Sequence, residues 1–247
     1  MRRRWWIMGA SLIVVIIAAI VLSMLLNRPE KSAAPDPAST GVSTIGKYGF
    51  PVSTIKAGGG GKTLAPDGVT PLGYGPSCDD AVRATMNYLK FMSTNDTKNP
   101  DQLIATYKLV FADQKAGEDL GKGFAQMAKE SPGSVGTQAS FTRPGLFKVG
   151  SCKEGETAAI GVAVTLMESS GASTRFFKQR VVFERGTWLL AAQDESTGSI
   201  ETGGSIFEEG ATKFPELTAK NIDELFTDSQ GKPMDRQGWQ EVANAGT

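Results

Sequence analysis

Between residues 74 and 130, apolar positions recur at the spacing of amphipathic helices. Ser77 is suited to cap a first helix, with Asp80 three residues further on. The apolar face of this helix is Val82, Thr85, Met86, Leu89 and Met92.

Asn99-Pro100 is typical of the start of a second helix. Its apolar face is Leu103, Ile104, Tyr107, Val110 and Phe111. A third, weaker stretch carries Leu120, Phe124 and Met127, interrupted by Gly117, Gly121 and Gly123.

From Phe141 the period of the pattern changes to two, which predicts β-strands. In TAAIGVAVTLME, large apolar residues such as Ile160 and Val162 alternate with small ones such as Gly161 and Ala163. The small residues on one face indicate close approach or strong curvature there. TRFFKQRVVFER and TWLLAAQDE follow, joined at Arg185-Gly186 in a predicted tight hairpin.

Two or three helices followed by an antiparallel meander of three or four long strands predict an α+β domain over residues 74–196. A chain of 247 residues is long enough for one such domain with appendages.

Residues 7–26 form an uncharged run of twenty residues, which as a helix would span roughly 30 Å of hydrocarbon. Arg2, Arg3 and Arg4 precede the run, and Trp5 and Trp6 stand where an aromatic belt belongs. The pattern predicts a retained single-pass anchor in the cell membrane, with residues 1–6 cytoplasmic and the C-terminal domain extracytoplasmic.

The alternative for this run is a cleaved signal peptide, whose apolar core is usually shorter. The nearest small-residue site, Ser32-Ala33-Ala34, is followed by Pro35, which is a poor context for cleavage. The anchor is therefore the favoured interpretation.

Residues 27–73 are rich in Pro, Gly, Ser, Thr and Ala, and we predict a flexible tether. The stretch AGGGGKT at 57–63 resembles a phosphate-binding loop only superficially. Lys56 occupies the place of the first required glycine, no buried strand precedes the run, and Pro66 follows it instead of a helix. Nucleotide binding is not predicted.

Residues 197–247 form an acidic, glycine-containing C-terminal extension. FPELTAKNIDELF predicts a short amphipathic helix that uses Leu217, Ile222, Leu225 and Phe226. Either this extension docks on its own domain, which is the favoured alternative, or it awaits a partner.

Composition limits the chemistry. With 26 basic and 26 acidic residues the chain is neutral overall, and it contains no histidine. The missing histidine excludes Ser-His-Asp and Cys-His nucleophiles and histidine metal sites. We therefore predict no catalytic residues, no metal site and no cofactor.

Several polar groups nevertheless invite a functional interpretation. Asp194-Glu195 are read as a solvated pair, and Asp79-Asp80 as partners of a helix dipole. The strand also carries Arg175, Lys178 and Arg180 with Phe176 and Phe177, a combination that could bind nucleic acid. A strand whose charged face is exposed to water is the simpler interpretation. No direct nucleic-acid contact is expected. Asn95-Asp96-Thr97 fits a glycosylation sequon, and Ala19 with Ser23 gives a weak helix-dimerisation pattern.

The two cysteines, Cys78 and Cys152, both lie inside the predicted domain. In an oxidising compartment two such cysteines predict one structural disulfide. A redox-active thiol at Cys78 is the alternative, and the absence of a second cysteine at the two-residue spacing disfavours it.

Helices followed by a long antiparallel sheet that ends in TWLLAAQD resemble the cystatin-like cone of the nuclear transport factor 2 superfamily. With a basic N-terminus, one membrane helix and a tether, the chain also resembles VirB-type and TcpC-like scaffold components of type IV secretion and conjugation machines. PLGYGPSCDDAVRATMNYL is similar to segments of membrane-anchored proteins from actinobacterial conjugative elements. The resemblance covers about residues 72–196 and implies a cone-like domain, a curved sheet and a non-enzymatic assembly role.

Three functional hypotheses follow. The first is a membrane-anchored assembly or interaction module, with envelope proteins or further copies of itself as partners. The second is a binding module that holds a small ligand, lipid or peptide in the cone. The third, an enzyme of the same superfamily, is disfavoured because the histidine common in such pockets is missing.

Overall fold

A computed structural model describes residues 44–93, 99–130, 138–140, 145–168, 171–191, 218–227 and 231–244. The helices are α1 (Cys78–Met92), α2 (Pro100–Val110), α3 (Gln114–Glu130) and the single turn α4 (Ile222–Leu225). The strands are β1 (Thr63–Leu64), β2 (Pro71–Leu72), β3 (Gln138–Ser140), β4 (Leu146–Lys153), β5 (Thr157–Glu168), β6 (Gly171–Glu184), β7 (Thr187–Leu190) and β8 (Trp239–Glu241). The predicted α+β class is confirmed.

The first two helices begin where their capping residues predict. The Ser77 hydroxyl accepts a hydrogen bond from the backbone N–H of Asp80 at 3.1 Å, which satisfies an unpaired donor in the first turn of α1. The Asn99 side chain accepts from the N–H of Asp101 at 2.9 Å, and Pro100 takes the first position of α2. Local hydrogen bonding therefore fixes both helix starts.

The main sheet is antiparallel, with strand order β7-β6-β5-β4-β8. A further strand, β3, pairs with β5 beyond the segment that β4 occupies. The turn between β6 and β7 places Arg185 at φ 52° and Gly186 at φ 74°, the left-handed pair that a two-residue hairpin requires. The predicted meander and its hairpin are confirmed, and β8 extends the sheet from the C-terminal region.

One face of the sheet packs against the helices and encloses the main core. The large residues of β5, such as Ile160 and Val162, point to this side together with residues of α1 and α2. The largest fully buried side chains of this core are Trp188, Tyr74, Tyr88, Tyr107, Phe91, Phe147 and Met86. Aromatic side chains therefore occupy the interior between the helices and the sheet.

The opposite face carries a second, smaller core built from both ends of the described chain. Trp239 and Phe226 from the C-terminal region meet Phe176 of β6, with ring centroids 5.0–5.5 Å apart. An added Cβ on Gly161 would meet the Trp239 ring at 3.5 Å. The small residues of β5 therefore lie on the face that the C-terminal region covers, at ordinary van der Waals distance.

The predicted extent of the tether is corrected by the structure. Residues 44–73 belong to the folded unit, with Tyr48, Phe50 and Ile55 buried. Isolated apolar residues in a Gly- and Pro-rich stretch show no periodicity, so the prediction missed side chains that are buried by distant segments. Residues 27–43 lie outside the described part of the chain.

The C-terminal extension is also partly folded onto the domain. In its described parts, 218–227 and 231–244, Leu225, Phe226 and Trp239 are buried, and β8 pairs with β4. Docking on the chain's own domain, the favoured alternative, is therefore observed for these residues. The helical region is one turn, shorter than predicted, and Leu217 lies outside the described residues.

The predicted disulfide is confirmed. Cys78 at the start of α1 bonds to Cys152 in β4, with the two Cα atoms 6.0 Å apart. The bond ties the first helix to the sheet across a sequence separation of 74 residues.

The predicted membrane segment at residues 7–26 lies outside the described residues. Within the described part of the chain, no helix combines the length and the hydropathy that crossing a bilayer requires.

Candidate interaction surface

Two glycines set α3 close against α2. A Cβ added at Gly117 would lie 2.5 Å from the backbone oxygen of Tyr107, and one added at Gly121 would lie 3.0 Å from the Cα of Ile104. Phe124 then stacks on the Tyr107 ring, with centroids 5.5 Å apart. These glycines, which looked like interruptions in the sequence, are the residues that allow the two helices to touch.

A second side of α3 carries an apolar stripe that faces solvent. We call Ala116, Leu120, Gly123 and Met127 the outer stripe; all four are exposed. Leu120 is 40% exposed and Met127 is 52% exposed, and a Cβ added at Gly123 would meet nothing within 4 Å. At 100° per residue the four positions fall within one narrow sector of the helix. Because the apolar side chains are aligned, they form one contiguous exposed stripe, which makes this side of α3 a candidate interaction surface.

One exposed ion pair of α3 lies beside the outer stripe, and a second lies farther round the helix. The Lys115 ammonium lies 2.6 Å from Asp119, and Lys122 lies 2.6 Å from Glu118. Hydrogen bonds from Lys122 and Lys108 hold the pKa of Glu118 below its usual range, and the hydrogen bond to Asp119 raises the pKa of Lys115. The Lys115–Asp119 pair gives the stripe a polar edge on one flank, as is typical of a protein interface.

Three interior polar side chains, Asn87, Tyr74 and Tyr88, are held by hydrogen bonds. The Asn87 amide donates to the Tyr74 hydroxyl at 2.7 Å and to the Gly59 carbonyl at 2.9 Å. The Tyr88 hydroxyl donates to the Trp188 carbonyl at 3.0 Å. Burial raises the pKa of both tyrosines, so neither exchanges a proton near neutral pH. The network stabilises the fold and offers no acid or base for catalysis.

The glycine run at 57–63 is part of this network. Gly58, Gly59 and Gly60 have positive φ, and Thr63 begins β1, which pairs with β2. A strand and not a helix follows directly after Lys62, so the run lacks the helix N-terminus on which phosphate would bind. The run therefore lacks the strand–loop–helix geometry of a phosphate-binding loop.

The basic run on β6 lies on the face of the sheet that points away from the helices. Lys178 and Arg180 are exposed there, whereas Phe176 is buried and Phe177 is partly buried. The aromatic rings are not presented for stacking on bases, which agrees with the wet-face interpretation. Nothing is described for the Arg175 side chain.

The other candidate groups are dispersed. Asp79 and Asp80 lie in the first turn of α1, where Arg83 pairs with Asp80 at 3.0 Å. Residues 95–97, 194–195, 19 and 23 lie outside the described residues. In the described part of the chain, no group of three carboxylate or thiol side chains is placed to hold a metal ion.

The sequence pattern placed Leu120 and Met127 on one weak helical stretch together with Phe124. The missed signal is that α3 carries two apolar series. Positions 117, 121 and 124 face α2, while the outer stripe is rotated away from them. Only the packing of α3 on α2 shows which series is buried.

No family model matches this sequence, and neither a curated protein nor a solved structure matches it significantly.

Proposed function

We propose that the chain is a non-enzymatic interaction module, held outside the cell membrane by residues 7–26, which joins a larger envelope assembly through α3. The observation that carries this proposal is the outer stripe. Leu120 and Met127 expose large apolar side chains on a helix whose other face is already packed. Exposed apolar surface is unfavourable in water unless a partner covers it.

The proposed location is supported by the covalent chemistry of the chain. The Cys78–Cys152 bond is typical of proteins in oxidising compartments. The uncharged run at 7–26, with three arginines before it, favours an anchor whose C-terminal side is extracytoplasmic.

The alternative, a binding module with a ligand inside the cone, receives less support. Trp188, Tyr74 and Tyr107 are fully buried between the helices and the sheet, in the space that a ligand would occupy. Surface recognition therefore agrees better with the packing. A small molecule or lipid that co-purifies with the full chain in native mass spectrometry would favour the alternative.

We further propose that the assembly is a conjugation or secretion apparatus and that the domain is a cone-like member of the nuclear transport factor 2 superfamily, with a curved sheet. The support is the order of elements, in which α1 to α3 precede the meander β4 to β7. The proposed arrangement, a short cytoplasmic N-terminus followed by one membrane helix, resembles that of the scaffold components of such machines.

A photo-crosslinking residue placed at Leu120 or Met127 of the full chain in its own cells tests the proposal. We expect crosslinks to defined envelope proteins or to the chain itself from both positions, identified by mass spectrometry. The same residue at Thr157, which is exposed at the start of β5, is the matched control. Equal yields from Thr157 and Leu120, or no product from any position, would contradict an interaction role for α3.

A further inference from the structure

We infer that the outer stripe binds a second copy of the same chain, with the two α3 helices antiparallel. This inference rests on the proposed function and names the partner of that surface. The occupant is indicated by size, by charge and by the placement of one glycine.

Size is the first argument. The outer stripe is symmetric about the middle of α3, because the spacings between its four residues are 4, 3 and 4. When two copies are placed antiparallel about that point, Leu120 of each lies over Gly123 of the other. Met127 of each then lies over Ala116 of the other. A large side chain meets a small one at every position, as close helix packing requires.

Gly123 is the second argument. A glycine inside an exposed helix costs about 1 kcal/mol relative to alanine. Gly117 and Gly121 are explained by their contacts with α2, but nothing in the described residues approaches Gly123 within 4 Å of an added Cβ. A close approach from outside, such as Leu120 of a second copy, accounts for a glycine at this position.

Charge is the third argument. One flank of the stripe carries Lys115 near the start of α3, Asp119 and Lys122 near the middle, and Glu130 at the end. An antiparallel arrangement brings Lys115 of each copy to Glu130 of the other and Asp119 to Lys122. In a parallel pair related by a two-fold axis along the helices, the same flank of each copy lies on the opposite side of the interface, so neither of these ion pairs would form. The flank therefore favours the antiparallel orientation.

The interface would be small. A helix of 17 residues is about 25 Å long, so the stripe buries less area than a stable soluble dimer needs. We therefore expect weak association in solution, strengthened where an anchor confines the copies to one membrane.

Cysteine crosslinking in the full chain, in membranes, tests the orientation. Ala116→Cys and Met127→Cys variants carry different tags and are produced together, while the native cysteines remain bonded to each other. Mild oxidation is expected to join Ala116→Cys of one copy to Met127→Cys of another. Two Ala116→Cys copies should not join, because antiparallel helices separate these positions by about 16 Å. Like-with-like products, or none, would overturn the inference.

Gly123→Leu is expected to reduce the mixed product at least tenfold, because it blocks Leu120 of the second copy without disturbing the contact with α2. Lys129→Leu adds the same side chain on a different side of α3 and should leave the yield unchanged. Lys115→Glu alone should weaken the product, and Lys115→Glu with Glu130→Lys should restore it. A yield that Gly123→Leu does not alter would place association elsewhere, for example in residues 7–26, and would overturn the inference.

The two proposals can fail separately. Crosslinks from Leu120 to other envelope proteins, without the mixed cysteine product, would leave the interaction role standing and remove the second copy as the partner. No product in either experiment would remove both.

Discussion

At the scale of single residues, Glu241 is the most unusual side chain in the described part of the chain. It is a carboxylate only 2% exposed, and it accepts hydrogen bonds from the backbone N–H groups of Tyr48 and Phe50 at 2.7 and 3.4 Å. Gly46 makes room for it, because an added Cβ would overlap the Glu241 carboxylate. The buried carboxyl group is acceptable because backbone donors replace water around it.

We predict that Glu241→Ala lowers the free energy of unfolding by about 1–3 kcal/mol, because it leaves two buried N–H groups without their acceptor. Glu241→Gln retains an acceptor oxygen and should cost less. Glu156→Ala, which removes an exposed ion pair with Lys153, is the control and should cost under about 1 kcal/mol. Urea denaturation measures all three, and equal losses for Glu241→Ala and Glu156→Ala would contradict the role of this carboxylate.

The buried tyrosines predict a loss of stability at alkaline pH. Burial raises the pKa of Tyr74 and Tyr88 in the folded state above the ordinary value of about 10. Their contribution is therefore complete below pH 10 and declines as pH rises, because the unfolded chain ionises first. Each tyrosine should remove about 1.4 kcal/mol per pH unit once the unfolded form is ionised.

Unfolding free energies measured between pH 9 and 11.5 test this expectation. The slope should be smaller in Tyr88→Phe, which keeps the ring and lacks the titrating hydroxyl. Absorbance of tyrosinate near 295 nm should show that Tyr74 and Tyr88 ionise late in the folded chain. An unchanged slope in Tyr88→Phe would count against the buried hydroxyl as its source.

At the scale of elements, the contact between α2 and α3 depends on glycine. Gly117→Ala places a methyl group against the Tyr107 carbonyl and should destabilise the fold by about 1–3 kcal/mol. Gly123→Ala faces open space in the same helix and should stabilise the monomer by up to about 1 kcal/mol through helix propensity. Thermal unfolding of the two variants should therefore shift in opposite directions. If the melting temperatures of both variants shifted in the same direction, helix propensity and not the contact with α2 would determine the effect.

Elements with local signals were predictable from the sequence. Ser77 and Asn99 cap their helices through hydrogen bonds to residues two or three positions away, and Arg185-Gly186 closes a hairpin through its own backbone angles. Tyr48 and Trp239 could not be assigned in the same way. Their burial depends on each other's segments, which lie almost the whole domain apart in sequence and show no periodicity.

The outer stripe likewise combines a feature that the sequence predicts with one that depends on tertiary packing. The sequence revealed that residues 114–130 contain apolar positions, but it could not show which of them face α2. Gly121 is buried and Gly123 is exposed, although they are two residues apart and chemically identical. Tertiary packing decides which glycine serves the core and which is free to serve an interface.

At the scale of the whole molecule, the disulfide constrains the folding unit. In the chain-entropy model, a loop of about 75 residues closed by Cys78–Cys152 is worth about 4–5 kcal/mol. The double variant Cys78→Ser with Cys152→Ser should lose stability of this order, and wild type treated with a reducing agent should match it. Denaturation curves that coincide with and without the reductant would contradict a stabilising role.

The two ends of the folded unit hold each other in place. Residues 51–55 run parallel to β8 and its continuation: the N–H of Ser53 donates to the Glu241 carbonyl at 2.8 Å, and the N–H of Ala243 donates to the Ile55 carbonyl at 2.7 Å. Because the N-terminal segment bonds to the C-terminal one, and β8 in turn bonds to β4, neither end is independent of the other.

Removal of residues 228–247, which include β8, should therefore release the N-terminal segment. Lys47 and Lys56 are exposed but flank buried residues, so trypsin should cleave after them slowly in the intact chain and rapidly in the truncated one. Trp239→Ala keeps the backbone pairing and should give an intermediate rate, because it removes the ring that covers Gly161 while the hydrogen bonds to residues 51–55 persist. Hydrogen exchange at Ser53 should follow the same order. Suppose that trypsin still cleaves slowly after Lys56 in the truncated chain while β4 exchanges hydrogen faster. The sheet would then hold the N-terminal segment directly, and the proposed dependence of the two ends on each other would be wrong.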